Sequence, residues 1–301
     1  MRSFGPLILA MTLSCLSCAR LAASATVDVA KLAAPSLEME GDYDLAAQGI
    51  PGNLKFLEGL AAVLPDNADL LLLLARGFGS YAFGFLEEGA SEARAAGDEA
   101  KSEHLTDRAV GLYERAGQYG LKLLGQQRGF DGAFKKGGSA LHEKLQELTD
   151  KKQVEPLFWT ANAWFGAINL AQDKVENLAM LPKVLQLLQR AAQLDEGYFY
   201  GAPHLILGGY QASLPKVLGG KPEKAREHFE KAIALSEGKA LLGKVLLAQL
   251  YATKVGNKAL FQKVLQEVVD ASVDVLPAAR LPNLIAKRKA ARLLKRMAEL
   301  F

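Results

Sequence analysis

The apolar positions of this chain fall at helical spacing, in blocks separated by Pro, Gly and Asx-rich breaks. The clearest block is His204–Leu235. Ala225, Phe229 and Ala232 stand at i, i+4 and i+7 on one helical stripe, after an apolar helix that carries Leu207 and Gly208. Gly-Gly-Lys-Pro lies between the two helices. Small residues let paired backbones approach, and the aromatic fills the groove they leave. The same stripe recurs at Ala109, Tyr113 and Ala116, with Ala75 as the small partner position on the preceding helix. Pro156 opens a further unit, PLFWTANAWFGAINLA, whose partner helix Leu181–Leu194 places Val184, Leu188 and Ala191 on the stripe. A last pair, Lys239–Tyr251 with Ala259–Val269, keeps Ala248 and Tyr251, but its second helix lacks the alanines.

This recurrence predicts an all-α fold, a tetratricopeptide-like helical repeat array with an expanded first repeat and a C-terminal capping helix. An ordinary amphipathic hairpin of another bundle is the alternative reading of any one stripe. The expansion falls at Glu87–Leu105, polar and alanine-rich, which reads as an extension or inserted arm. Ahead of it Asp66-Asn67 offers a cap, and Ala68–Leu86 is apolar all round and so predicted to be buried. Gly125–Gly138 reads as a loop, and Leu141–Leu148 as a short amphipathic helix. The closing helix Leu281–Leu300 carries Lys287, Arg288, Lys289, Arg292, Lys295 and Arg296, read as the solvated face of a cap.

The start of the chain has another character. Arg2 precedes an apolar run from Phe4 to Leu13, then small residues and a cysteine, which is the pattern of a bacterial export signal. Residues 1–18 are therefore predicted as a signal with lipidation at Cys18. Cys15, or unlipidated secretion after Ala23-Ser24-Ala25, remains the alternative. Residues 19–41 read as a tether and first helix turns, and 42–301 as a single helical domain. Ala19 after Cys18, where aspartate would retain a lipoprotein inside, favours the outer membrane.

Half of the 301 residues are hydrophobic, which suits a large core. With 36 Lys and Arg against 33 Asp and Glu, net charge is only +3, which argues against a nucleic-acid surface. The two cysteines, Cys15 and Cys18, both lie near the start, so the remaining body suits an oxidising compartment. His104, His142, His204 and His228 lack metal-ligand spacing, and nucleophile-elbow, phosphate-loop and dinucleotide motifs are absent from the sequence. The reading is a binding protein with no cofactor and no enzymatic activity. Its candidate cleft residues are Trp159, Asn162, Trp164, His204, Tyr81 and Tyr210, since Trp and Tyr combine an apolar body with a polar handle. Trp159 and Trp164 are five apart and point in different directions on their helix.

The order of motifs resembles a known family. An export signal is followed by LPDNADLLLLLARGFGSYAFGF, RAVGLYERAGQYGLKLL, LFWTANAWFGAINLAQD, GAPHLILGGYQASLPKVLGGKPEKAREHFEKAIAL and RLPNLIAKRKAARLL. Together these are similar to the T component of tripartite ATP-independent periplasmic (TRAP) transporters. The resemblance implies a periplasmic, lipid-anchored helical repeat protein that assembles as a homotrimer. It further implies a partner, the TRAP solute-binding protein, and a cleft for a small apolar or organic-acid ligand. Family positions here are Trp159, Asn162, Trp164, His204, Gly208, Gly219, Gly220, Asn283 and Lys287. A general periplasmic scaffold for envelope assembly is the alternative function.

Overall fold

The computed structural model describes the backbone of residues 5–214 and 220–301, and side chains within those ranges from residue 18 onward. Gly219 and the rest of the predicted turn before Gly220 lie outside the described residues. Among the described residues the fold is helical, with no strand.

A first helix, α1 (Gly5–Glu38), leads to α2 (Tyr43–Ala61) and α3 (Ala68–Tyr81). Asp42 caps α2, its carboxylate accepting from the Asp44 and Leu45 amides. Asn67 caps α3 by accepting from the Leu70 amide, so of the pair 66–67 the asparagine does the capping. A π-helical turn, Ala82–Leu86, carries α3 into α4 (Glu87–Ala95) without a break. The joined helix Ala68–Ala95 is long and apolar enough in composition to cross a membrane, but Leu70, Leu71, Leu74, Ala75 and Phe78 are spent on internal packing. It is a core helix.

The polar segment after it is not a free arm. α4 packs against the long α5 (Glu99–Gly125), and α5 packs on α3 through Ala116 and on the π-helical turn through Ala109 and Tyr113, all three buried. Residues 125–138 hold a helix, α6 (Phe130–Lys136), where the sequence suggested a loop. Seven residues are too few to be stable alone. Tertiary contact supplies the rest, with Phe130 buried and stacked on Phe134 and the Lys183 ammonium 5.0 Å above the Phe134 ring. α7 (Gly138–Gln146) follows.

Three hairpins come next: α8 (Val154–Leu170) with α9 (Val175–Leu194), and α10 (Tyr198–Ser213) with α11 (Pro222–Leu235). The third joins α12 (Leu242–Leu246), extended by a π-helical turn over Leu247–Ala252, to α13 (Lys258–Asp270). In the α10–α11 hairpin Ala225, Phe229 and Ala232 are buried, and the Phe229 ring lies over Gly208. A Cβ at Gly208 would stand 2.7 Å from that ring, so the close approach requires glycine.

The last helices, α14 (Arg280–Lys295) and α15 (Met297–Leu300), do more than cap. α14 packs on α13 and also returns to the start of the chain. Leu281 and Ile285 join Ala46 of α2 and Phe85 in one apolar cluster, and Arg280 Nη1 donates to the Met39 carbonyl at 3.2 Å. The expected solvated cationic face is largely consumed. Lys289 and Arg292 are paired with Glu88, Arg288 with Glu92 at 2.8 Å, and Lys287 donates to the Ala271 carbonyl. The acidic residues of α4 that no local period explained are their partners. The array therefore closes on itself, end to start.

Candidate functional site

Closure leaves a central cavity of about 810 Å³, whose wall is mainly apolar and draws on α1–α4, α8, α10, α12 and α14. α8 gives it one whole face. Trp159, Asn162, Phe165, Gly166 and Asn169 line it at three- and four-residue spacing. Tyr81 reaches the wall from α3, its hydroxyl donating to the Ala47 carbonyl at 3.4 Å.

Trp159 is held from several sides. Its indole Nε1 donates to the Tyr198 hydroxyl at 2.8 Å, and that hydroxyl donates to Glu155 at 3.3 Å. Phe158 meets the indole edge-on at 4.9 Å, Phe199 does so at 5.3 Å, and the Arg76 guanidinium lies 5.3 Å over its centroid. Arg76 also stacks over Phe199 at 5.6 Å and pairs with Glu38 of α1, which anchors α1 beside the cavity. Fixed partners on every side make Trp159 a rigid apolar wall with a satisfied polar edge.

Phe199 reaches this position through an unusual backbone. Phe199, Tyr200 and Gly201 lie in the left-handed region, at φ 45°, 62° and 79°. For the two aromatics this costs about 1–3 kcal/mol each, and such strain concentrates at functional sites. The turn swings Phe199 onto Trp159 and Tyr200 to the cavity wall. Tyr-Phe-Tyr-Gly-Ala-Pro carries a breaker signal that marks the kink but not its direction.

Of the predicted cleft residues, Trp159, Asn162 and Tyr81 share the cavity wall, and Trp164, His204 and Tyr210 lie off it. Trp164 turns to α5, where its indole covers Gly117. Its five-residue offset from Trp159 places it about 140° around the helix. His204 packs into the α10–α11 hairpin instead, Nδ1 to Nδ1 of His228 at 3.0 Å. Burial lowers the pKa of both imidazoles, with Lys231 adding to the effect on His204 and His204 adding to that on His228. Asn283 is a structural residue as well. Its carboxamide accepts from the Leu241 amide and donates to the Lys239 carbonyl, both at 3.0 Å, tying α14 to the start of α12.

Sequence reasoning missed the polar end of the cavity. Glu87 and Ser91 from α4 and Lys289 and Arg292 from α14 line it. Among the described residues no cluster of three or more metal-binding side chains occurs. The arrangement suits reversible binding: an apolar chamber with a few fixed polar groups.

Residues 39–301 match the TRAP transporter T-component family. The chain belongs to that family. It is also similar to an uncharacterized protein of Treponema pallidum (strain Nichols), 26% identical over 255 residues, covering 83% of this chain and 78% of that protein. Membership gives the chain an accessory role in a TRAP transport system, with the periplasmic or membrane-associated location that role entails, and the family is one of transporter accessory subunits, not of enzymes.

Proposed function

We propose that this TRAP T-component is a lipid-anchored periplasmic accessory subunit that binds the solute-binding protein of its importer and takes a small apolar or organic-acid ligand into the central cavity. The cavity itself carries this reading. It is about 810 Å³, mainly apolar, and walled by a rigid Trp159 with Asn162 and Asn169 as orienting groups. A general scaffold has no need of such a chamber. Cys18, the proposed site of acylation, is exposed on α1, and the same helix borders the cavity through residues from Thr26 to Glu38. An anchor there holds the chamber at a membrane face without spanning the bilayer. The protein acts as a homotrimer on this reading, and mass from light scattering checks that point.

The deciding experiment is affinity capture of the full-length protein from gently solubilised native cells. A TRAP-type solute receptor recovered in stoichiometric amount supports the accessory role. Recovery of other envelope proteins without a receptor would overturn it in favour of a general scaffold.

A further inference from the structure

Apart from the Arg76–Glu38 pair beside Trp159, the cavity has a charged end built across the seam where the chain closes. Lys289 and Arg292 reach it from α14, and Glu87 and Ser91 reach it from α4. Behind them Glu88 is fully buried and takes both cations at once. Arg292 donates through Nε at 3.0 Å and Nη2 at 2.8 Å, and Lys289 Nζ stands 3.1 Å away. One carboxylate is thus shared between two positive groups. The Lys289 ammonium has three donors and lies 4.6 Å over the Phe83 ring, so donor capacity beyond Glu88 remains. Glu87 is the other acid at this end, and the Tyr113 hydroxyl donates to it. Burial pushes its carboxyl above the usual range, against the pull of Lys289. Glu87 is engaged by Tyr113, which leaves the two positive groups sharing the one carboxylate of Glu88.

From there the wall turns apolar, through Phe83, Phe165, Trp159, Leu246 and Leu250. A neutral apolar ligand would leave the cationic end unmatched in a low-dielectric chamber. A ligand with one anionic head would satisfy it with charge-assisted hydrogen bonds.

We propose that this seam is a head-group subsite for a monoanionic amphiphile, its carboxylate on Lys289 and Arg292 with Ser91 donating from the opposite helix. The apolar tail lies along the Trp159 face. This rests on reading the cavity as a ligand chamber. The head group then bridges α4 and α14, so binding tightens ring closure. An ionised Glu87 would repel the head, so binding and protonation of Glu87 favour each other.

The test is calorimetric titration of the purified full chain with three probes that share a tail: decanoate, decanol and decyltrimethylammonium. A charge-assisted hydrogen bond is worth about 1.5–3 kcal/mol, so decanoate is expected to bind at least about tenfold tighter than decanol. Decanoate affinity should rise as the pH is lowered toward the titration of Glu87, and Glu87→Gln should abolish that pH dependence. Lys289→Gln should reduce the preference for decanoate over decanol. Hydrogen exchange in α14 should slow with decanoate and not with decanol, a readout that does not depend on either variant folding well. Equal affinity for decanoate and decanol would overturn the head-group subsite and leave the chamber standing. A preference for decyltrimethylammonium would show that the end has the opposite sign. Failure of all three probes to bind would overturn the chamber reading and this inference with it.

Discussion

Glu88 and Arg292 lie 204 positions apart and meet in a two-pronged ion pair inside the protein. The pair joins α4 to α14, near the end of the chain. Burial alone would raise the Glu88 carboxyl, but the hydrogen bond from Arg292 and the charge of Lys289 outweigh it and hold the group below its usual range. A buried pair of this kind is not a simple gain over an apolar contact, but breaking it strands charge. Glu88→Ala, which leaves Lys289 and Arg292 buried without a counter-ion, is expected to destabilise the fold by about 3–5 kcal/mol. Urea denaturation checks this. A loss below about 1 kcal/mol, the scale of a surface ion pair, would show that the seam is not a structural closure.

The Gly208–Phe229 contact sets how closely α10 and α11 approach. Gly208→Ala places a methyl 2.7 Å from a fully buried ring. Overpacking of that order costs about 1–3 kcal/mol, outweighing the small helix-propensity gain of alanine. Thermal unfolding should register a lower Tm. An unchanged or higher value would mean that the hairpin can shift without cost.

The His204–His228 contact makes stability depend on pH. Two Nδ1 atoms 3.0 Å apart need one donor and one acceptor, so the contact cannot survive with both imidazoles protonated. Glu196 and Lys231 face His204, and Glu227 and Lys224 act on His228. Both folded pKa values are depressed, so this contribution is present above the unfolded value of about 6.5 and is lost as pH falls through it. Between pH 7.5 and 5.5 the Tm should fall, and His228→Gln should flatten that dependence. Glu87, whose carboxyl is raised, pulls the opposite way, losing stability as pH rises through its folded pKa. A double variant that also carries Glu87→Gln isolates the histidines.

Trp159 lines the cavity and Trp164 does not, and the chain has two tryptophans. Titration with an apolar probe should therefore change the indole fluorescence of the wild type and of Trp164→Phe, and leave Trp159→Phe almost unaffected. A response that followed Trp164 would place the ligand between α5 and α8.

Asn283→Leu leaves the Leu241 amide and the Lys239 carbonyl without their partner in a buried position. The expected loss is about 1–3 kcal/mol per unsatisfied group. Chemical denaturation of the variant measures it, and rescue by Asn283→Gln is not expected, since the longer chain cannot span both groups at 3.0 Å.

The sequence by itself determined the hairpins. Ala225, Phe229 and Ala232, or Ala109, Tyr113 and Ala116, declare their contacts through a period of 3.6 residues, because the stripe, its small partner and the helix that carries them are all local. It also separated Trp159 from Trp164 by angle alone. Only the tertiary structure decided that the array closes, for Glu88 and Arg292 satisfy a charge balance that no periodicity encodes. On a one-dimensional reading the cations of α14 face solvent and the acids of α4 form an arm. Burial at one seam turns both into an interior. Likewise the left-handed turn at Phe199 and Tyr200 is fixed by packing against Trp159 and Arg76, partners that a local backbone preference cannot anticipate. The hairpins follow from short-range spacing, and the cavity follows from long-range closure.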